Sequence, residues 1–360
     1  MYTVSDIVSS KIESYCRTWR MELEDTNSIL TGDKIVSASS TAQSTSLSDD
    51  IELGAVCSQS WNMTISDTET AFLGKEYDTY LYLIDYETSG ILAGEKIPMG
   101  RFTCVKSKKS GGSVQLTMAD RLYFSDKPYV PHIPIPNWNR SVEDDICRQL
   151  GLQNGNDYTE VRLLRDKDGR RLIDKNGKVL YSKYFYFKVG SLLKDVTMRQ
   201  MLSYLASAQG QFGYVDRYGK YVRKWYGKSV KILDNNTIDL PTLGERPNVL
   251  AGIVCKVSDS ETLRLGNTTG SAGRVLEFEN PYMTMSLLRS LWHRIGGFSW
   301  YTTELFHRLG DPRFDVGDVI TYVSESGESY DIPITNLGFN FDGGLSADIS
   351  AVGLSVEEQL

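Results

Sequence analysis

The sequence predicts a mainly β, α+β protein, with antiparallel β blocks towards both ends and an α+β region between them. Three observations carry this. Tyrosine is abundant, 21 of 360 residues, and aromatic side chains suit pleated, half-buried surfaces. Period-two alternation recurs in short runs near both ends, and no crossover helix separates the runs of the first block, so those strands pair antiparallel. Helical spacing is confined to a few short segments. A hydrophobic content of 41% allows real cores, and the length suits two to four domains of about 100–200 residues each.

Taken in order, Val4, Ile7, Val8 and Ile12 fall at helical spacing and predict a short amphipathic helix within 1–13. Trp19, Met21 and Leu23 alternate with charged residues as in a strand. The Ser/Thr-rich stretch 33–50 reads as a loop or an exposed strand edge. Residues 55–66 alternate, with Cys57, Trp61, Met63 and Ile65 on one face, and predict a single half-buried strand. Tyr80–Ile84, apolar on both faces, predicts a central strand or a subunit contact. Ile97–Val105 and Ser113–Ala119 form a hairpin about Gly111-Gly112. With no helix between them, these strands curl into a barrel or sandwich.

Pro128, Pro131, Pro134 and Pro136 mark an extended linker. Ser141 is an N-cap for a helix burying Val142, Ile146 and Leu150 and stopped by Gly151. The segment 156–190 carries two turn signals and predicts a protruding hairpin. Thr197 and Gln200 suit a capping box for a helix reaching Gln209. A hairpin follows, Phe212–Val215 and Tyr221-Val222, turning at Asp216–Gly219. Pro241, Gly244 and Pro247 mark the next boundary. Val249, Ala251, Ile253, Cys255 and Val257 predict one strand face. Thr284 starts a helix with Leu288, Leu291, Trp292 and Ile295 on its apolar side, and a last hairpin turns at Asp342–Gly344. The boundaries divide the chain into 1–125, 126–245 and 246–360.

Charge excludes some functions. A net charge of −7 argues against gripping a nucleic-acid backbone, which needs clustered Lys and Arg. The five cysteines, Cys16, Cys57, Cys104, Cys147 and Cys255, form no CxxC pair and predict free thiols, most of them buried. No basic and apolar leader begins the chain, and no apolar run nears the roughly 18 residues that span a bilayer. The expectation is a soluble protein, made in a cytoplasm and not inserted in a membrane.

Catalytic patterns are equally scarce. His132, His293 and His307 have no HExxH spacing, and GxSxG, P-loop and GxGxxG motifs are absent. Asp166-Lys167-Asp168-Gly169 has a calcium-loop flavour, but Gly177 stands where the twelfth-position glutamate belongs, so it reads as a turn. Asp49-Asp50 and Asp144-Asp145 read as solvated pairs. No cofactor is expected.

Two stretches remain. Pro98-Met99-Gly100-Arg101-Phe102 precedes a strand that ends in Ala119-Asp120-Arg121, a "PxGxF … AxDR" order. Two hundred residues later, Gly310-Asp311-Pro312-Arg313-Phe314-Asp315-Val316-Gly317-Asp318 makes a double turn into a strand of alternating Val319, Thr321 and Val323. Its aspartates read as turn formers. Together these blocks resemble the baseplate hub proteins of phage tails, including the N-terminal part of tail-associated proteins of long-tailed phages. The resemblance implies two small tube-like antiparallel β-barrels flanking the α+β middle region. It also implies a non-enzymatic virion protein at the tail tip: a homotrimer capping the tail tube, contacting tube and distal tail proteins and a separate spike or fibre chain. DNA would pass through without specific binding, aided by negative charge if that charge lines the channel. Pro98, Gly100, Phe102, Asp120, Arg121, Gly310, Asp311, Pro312, Gly317 and Asp318 are the motif positions. Two readings compete with it. One is a tail-tip enzyme that cleaves cell walls. The other is a receptor-binding module using the aromatic stretch 181–187.

Overall fold

The computed structural model describes residues 1–353 apart from 15, 26–27, 31, 42, 47, 49, 89, 159–161, 164–169, 183–185, 235–240, 271 and 308. Its centre is a sheet of twelve strands. In chain order they are β1 (Trp19–Glu24), β2 (Ile29–Leu30), β3 (Ile35–Ser40), β4 (Gln43–Ser44), β5 (Ser60–Ile65), β6 (Glu76–Leu83), β7 (Ile97–Ser110), β8 (Ser113–Ala119), β9 (Thr242–Leu243), β10 (Thr303–His307), β11 (Asn336–Phe341) and β12 (Leu345–Ala351). The spatial order is β9-β10-β12-β11-β3-β5-β8-β7-β6-β1-β2, with β4 on β11. Every pairing in it is antiparallel.

The two ends of the chain meet inside this sheet. Phe341 of β11 pairs with Ala38 of β3, and Asn340 with Ser39. Across the joint the buried face runs Leu116–Met63–Ala38–Phe341–Leu345. The other face runs Thr117–Asn62–Ser39–Asn340–Ser346, all uncharged and polar. One face packed and one solvated is what antiparallel sheets allow. The expected pair of barrels is not what forms: among the described residues no sheet closes on itself. The physical reason is the joint, because the free edge of β11 is satisfied by β3 and not by a strand of its own block.

Among the described residues there are four α-helices: α1 (Asp6–Ile12), α2 (Asn139–Leu150), α3 (Met198–Ser207) and α4 (Met285–Ile295). The Thr197–Gln200 capping box is present on α3, and Thr284 caps α4. Two helix expectations need correction. In α1 only Val8 and Ile12 are buried, while Ile7 is 63% exposed. α2 starts at Asn139, ahead of Ser141, because Asn139 is anchored to Phe187: its N–H donates to the Phe187 carbonyl at 2.9 Å and its side-chain oxygen accepts from the Phe187 N–H at 3.3 Å. A tertiary anchor outweighs a good cap residue further on.

Two strands also differ from expectation. The run 55–66 is broken. Val56–Cys57 leaves the main sheet and pairs parallel with Gly213-Tyr214, joining a four-stranded sheet with Phe212–Val215, Lys220–Lys224 and Gln153–Asn154. In the strand Asn248–Lys256, a bulge between Leu250 and Gly252 reverses the phase of alternation. Leu250, Ile253 and Cys255 are buried and Val249 is left exposed. The middle region also reaches the C-terminal block, where Ser229–Asp234 pairs parallel with Val319–Val323. All five cysteines are free, and only Cys16 is exposed. No helix among the described residues is long and apolar enough to cross a membrane.

Candidate functional site

The two motif stretches, far apart in sequence, come together around Arg217. That residue sits at the tip of the hairpin Phe212–Val215 and Lys220–Lys224, in a turn where Asp216 accepts from the Tyr218 and Lys220 N–H groups at 2.9 and 2.8 Å. The turn pushes the guanidinium between the ends of the chain. Arg217 Nη1 donates to the Pro98 carbonyl at 3.1 Å and to the Pro312 carbonyl. Its Nη2 donates to the Phe314 carbonyl, and its Nε pairs with Asp315 at 2.8 Å. The side chain is only 8% exposed. A planar guanidinium with five donors is suited to satisfying several fixed carbonyls at once, which an ammonium could not match.

Next to it lies a buried ionic cluster. Asp311 is 1% exposed. It accepts from Arg313 Nε and Nη2 at 2.9 and 2.7 Å and from Lys231 Nζ at 2.8 Å. Glu13 closes the outer side, 3.2 Å from Lys231 and 3.4 Å from Arg313, while Arg313 also donates to Ser9 Oγ at 2.6 Å. Burial pushes the Asp311 carboxyl up, but Arg313 and Lys231 outweigh it and hold it well below the usual carboxylate range. The aspartate reads as a turn former in the sequence, and it does accept the Arg313 N–H at 3.1 Å. Its larger part is as the anion tying α1, the strand Ser229–Asp234 and the motif loop together. Gly310 offers its carbonyl to Arg17 at 3.4 Å. Asp318 accepts from the Asp315 N–H at 3.0 Å and pairs with Lys224 at 3.3 Å. Gly317 has φ +76°, and a Cβ there would lie 2.4 Å from the Phe212 ring. The turn and the hairpin therefore pack backbone against ring.

The first motif is organised differently. Gly100 has φ +130° and lies at the bulge between β6 and β7, where a Cβ would strike the Phe102 ring at 2.7 Å. Asp120 is 2% exposed and accepts from neutral groups, among them Ser58 Oγ and the Gln59 N–H at 2.7 Å each and the Leu122 N–H at 2.9 Å. Burial pushes it up to about 6. The bonds to Ser58 and Gln59 sit where the run 55–66 breaks, so Asp120 fixes that break. It also caps the 3-10 turn Arg121–Phe124. Arg121 pairs with Glu76 at 2.8 Å. Arg199 of α3 donates to the Val56 and Leu122 carbonyls at 2.6 and 2.8 Å, binding the middle region to this corner.

Other sequence candidates fall elsewhere. Asp144 is half-exposed, but Asp145 is fully buried, which corrects the reading of a solvated pair. Asp145 accepts from Tyr129 Oη and the His132 N–H at 3.0 Å each and so pins the proline linker to α2. Glu143 and Arg223 form a buried ion pair at 2.7 Å, with Tyr158 donating to the carboxylate. Nothing in the sequence signalled that pair, since its members lie 80 positions apart. His293 is exposed and His307 buried. The turn Asp166–Gly169 lies outside the described residues, as does Asp49. Asp50 pairs with Arg274. Among the described residues no group of His, Cys, Asp or Glu is placed to hold a metal ion. The arrangement is one that locks segments together.

No family model matches the chain, and no curated protein does. Solved structures do match. The tail protein from Neisseria meningitidis MC58 is 11% identical with a TM-score of 0.54, covering 92% of this chain and 96% of that one. The 43 kDa tail protein of prophage MuSo2 from Shewanella oneidensis is 14% identical with a TM-score of 0.51 and the same coverage. Prophage tail protein gp18 from Listeria monocytogenes EGD-e is 12% identical with a TM-score of 0.50, covering 94% and 96%. The fold is thus that of phage tail proteins, and the likeness runs through nearly the whole of each chain.

Proposed function

We propose that this chain is a structural protein of a phage tail baseplate or of a phage-derived particle. In this reading three copies form a ring that closes the tail tube, contacts distal tail proteins, and carries a separate spike or fibre chain. The regions 1–125 and 246–360 supply the ring, and 126–245 braces them from outside. It is a virion protein, made in the host cytoplasm, and it catalyses nothing.

The observation that carries this reading is the continuous antiparallel sheet uniting both ends of the chain. At its joint the solvent face is mostly uncharged and polar, with a groove of about 570 Å³ lined by residues such as Ser39, Asn62, Thr64, Gln115, Thr117 and Asn340, and by one carboxylate, Asp342. A sheet so long, with edges at β2 and β9 that no strand covers among the described residues, can be completed by copies of itself under closed rotational symmetry. A mainly polar groove whose one charged lining residue is a carboxylate offers passing DNA no cation to hold it. Negative-stain electron microscopy of the purified protein, with mass determination in solution, tests this. Threefold rings with a central channel are expected. A compact dimer, or a monomer at all concentrations and absent from assembled tails, would overturn it.

A further inference from the structure

Outside the locked core, one surface cluster of the middle region has no part in holding the ends together. Trp138, at the start of α2, is 47% exposed, while Trp19, Trp61 and Trp300 are at most 1% exposed. Its short strand Asn137–Trp138 pairs with Lys188–Val189, which puts Lys188 Nζ 5.3 Å from the indole centroid. The Tyr186 ring stands edge-on to the indole at 6.2 Å, and Tyr158 stacks on Tyr186 at 5.8 Å, nearly parallel. Arg140 lies 5.3 Å from the Tyr158 ring and reaches Tyr186 Oη at 3.5 Å. Beneath them Arg223, paired with Glu143, supports Tyr158 from the core side at 5.4 Å. The result is a column of rings and cations fixed at its base and open at its top.

We propose that the exposed indole of Trp138, with Lys188 against it and Arg140 on the adjoining Tyr158–Tyr186 pair, binds an acidic sugar residue of a surface polysaccharide. Three features select this ligand. An indole face is electron-rich and apolar, which complements the slightly positive C–H face of a pyranose ring. Lys188 has no ion-pair partner among the described residues, and the one ion pair of Arg140 among them is a loose contact of 3.8 Å with Asp144. Both cations are therefore available to a carboxylate. The tyrosines hold the indole and Arg140 in place, so little order has to be gained on binding. A nucleic-acid strand is disfavoured, because two cations on a chain of net charge −7 cannot offset a run of phosphates. A protein partner would call for a contiguous apolar patch, and this column offers one indole edged by charge.

The test is a titration of the full-length protein with hexagalacturonic acid, followed by tryptophan fluorescence and calorimetry. Cellohexaose serves as the neutral counterpart and an oligothymidylate as the nucleic-acid control. Saturable binding of the acidic hexasaccharide is expected, with both controls at least about tenfold weaker, a difference of about 1.4 kcal/mol. Trp138→Ala should abolish the fluorescence response and Trp138→Phe should retain part of the affinity. Lys188→Gln, at an exposed site that leaves packing intact, should weaken the acidic ligand and leave any weak neutral binding unchanged. Absence of binding, preference for the oligothymidylate, or equal affinity in Trp138→Ala would overturn the proposal. None of these outcomes bears on the ring assembly, which is tested separately.

Discussion

Asp120 and Asp311 are the most deeply buried carboxylates of the two motif stretches, 2% and 1% exposed, and their surroundings drive them in opposite directions. Asp120 accepts from a hydroxyl and backbone N–H groups, none of them a cation, and burial pushes it up to about 6. Asp311 lies between Arg313 and Lys231, and stays ionised far into acid. Equal burial thus yields a corner whose stability depends on mild acidity at one end of the chain, and a corner indifferent to it at the other. Countercharge, not depth, decides which.

The comparison can be broken most directly at Asp311. Asp311→Ala leaves the buried Arg313 and the partly buried Lys231 with Glu13 as their remaining ion-pair partner, and should cost about 3–5 kcal/mol of unfolding free energy. A denaturation midpoint unchanged from wild type would show the cluster to be inert. The next effect concerns pH. A group whose folded pKa is raised contributes stability that is fully present below its unfolded pKa and is lost as pH rises through the folded value. For Asp120, about 6 when folded against about 3.9 unfolded amounts to about 3 kcal/mol lost between about pH 4 and 7. Asp311, with a lowered pKa, contributes above about pH 4 and loses its share only as pH falls below that. Stability should therefore fall less steeply across this window in Asp120→Asn than in wild type. An equal slope in both would refute the assignment.

Smaller effects sharpen the contrast locally. Gly100→Ala forces a positive φ on alanine and a contact with Phe102, and should cost about 1–3 kcal/mol. Gly112→Ala, in the same hairpin and with open space around it, should be nearly neutral. Equal costs would show that the bulge at Gly100 carries no special constraint. The smallest expected change is kinetic. Cys57 adjoins Ser58, which Asp120 holds, whereas Cys255 is distant from it. Thiol labelling of the native protein should modify Cys16 at once, and Asp120→Ala should speed Cys57 alone among the buried thiols. Matching acceleration at Cys255 would mean global loosening.

What the sequence made legible was local. Thr197 with Gln200, Thr284, and the alternation in β8 and β12 each carry their signal within a few residues. The break after Cys57 escaped notice because it is imposed by Asp120, 61 positions on from Gln59. The bulge at Leu250 escaped because a one-residue slip leaves no mark on composition. The Asp311 cluster draws Glu13, Lys231 and Arg313 from three separate segments, so a turn was all that the aspartate announced by itself. Nor could the barrels be told from an open sheet, since both need the same alternating strands, and only the β3–β11 pairing separates them.

That pairing also sets an order of events for the chain as it is made. The Phe339 N–H donates to Ser40 Oγ at 2.7 Å across 299 positions. β3 therefore leaves the ribosome long before the strand that covers its edge. Until β11 and β12 follow, the N-terminal strands carry an open edge with Val36 exposed beside it, the kind of edge that recruits foreign strands. Contacts of such high sequence separation form slowly, because the loop must be closed before they reward it. Synthesis of the final hairpin is thus the step that shields the first half of the protein. A chain truncated before Asn336 would be left with an unshielded edge, prone to aggregation.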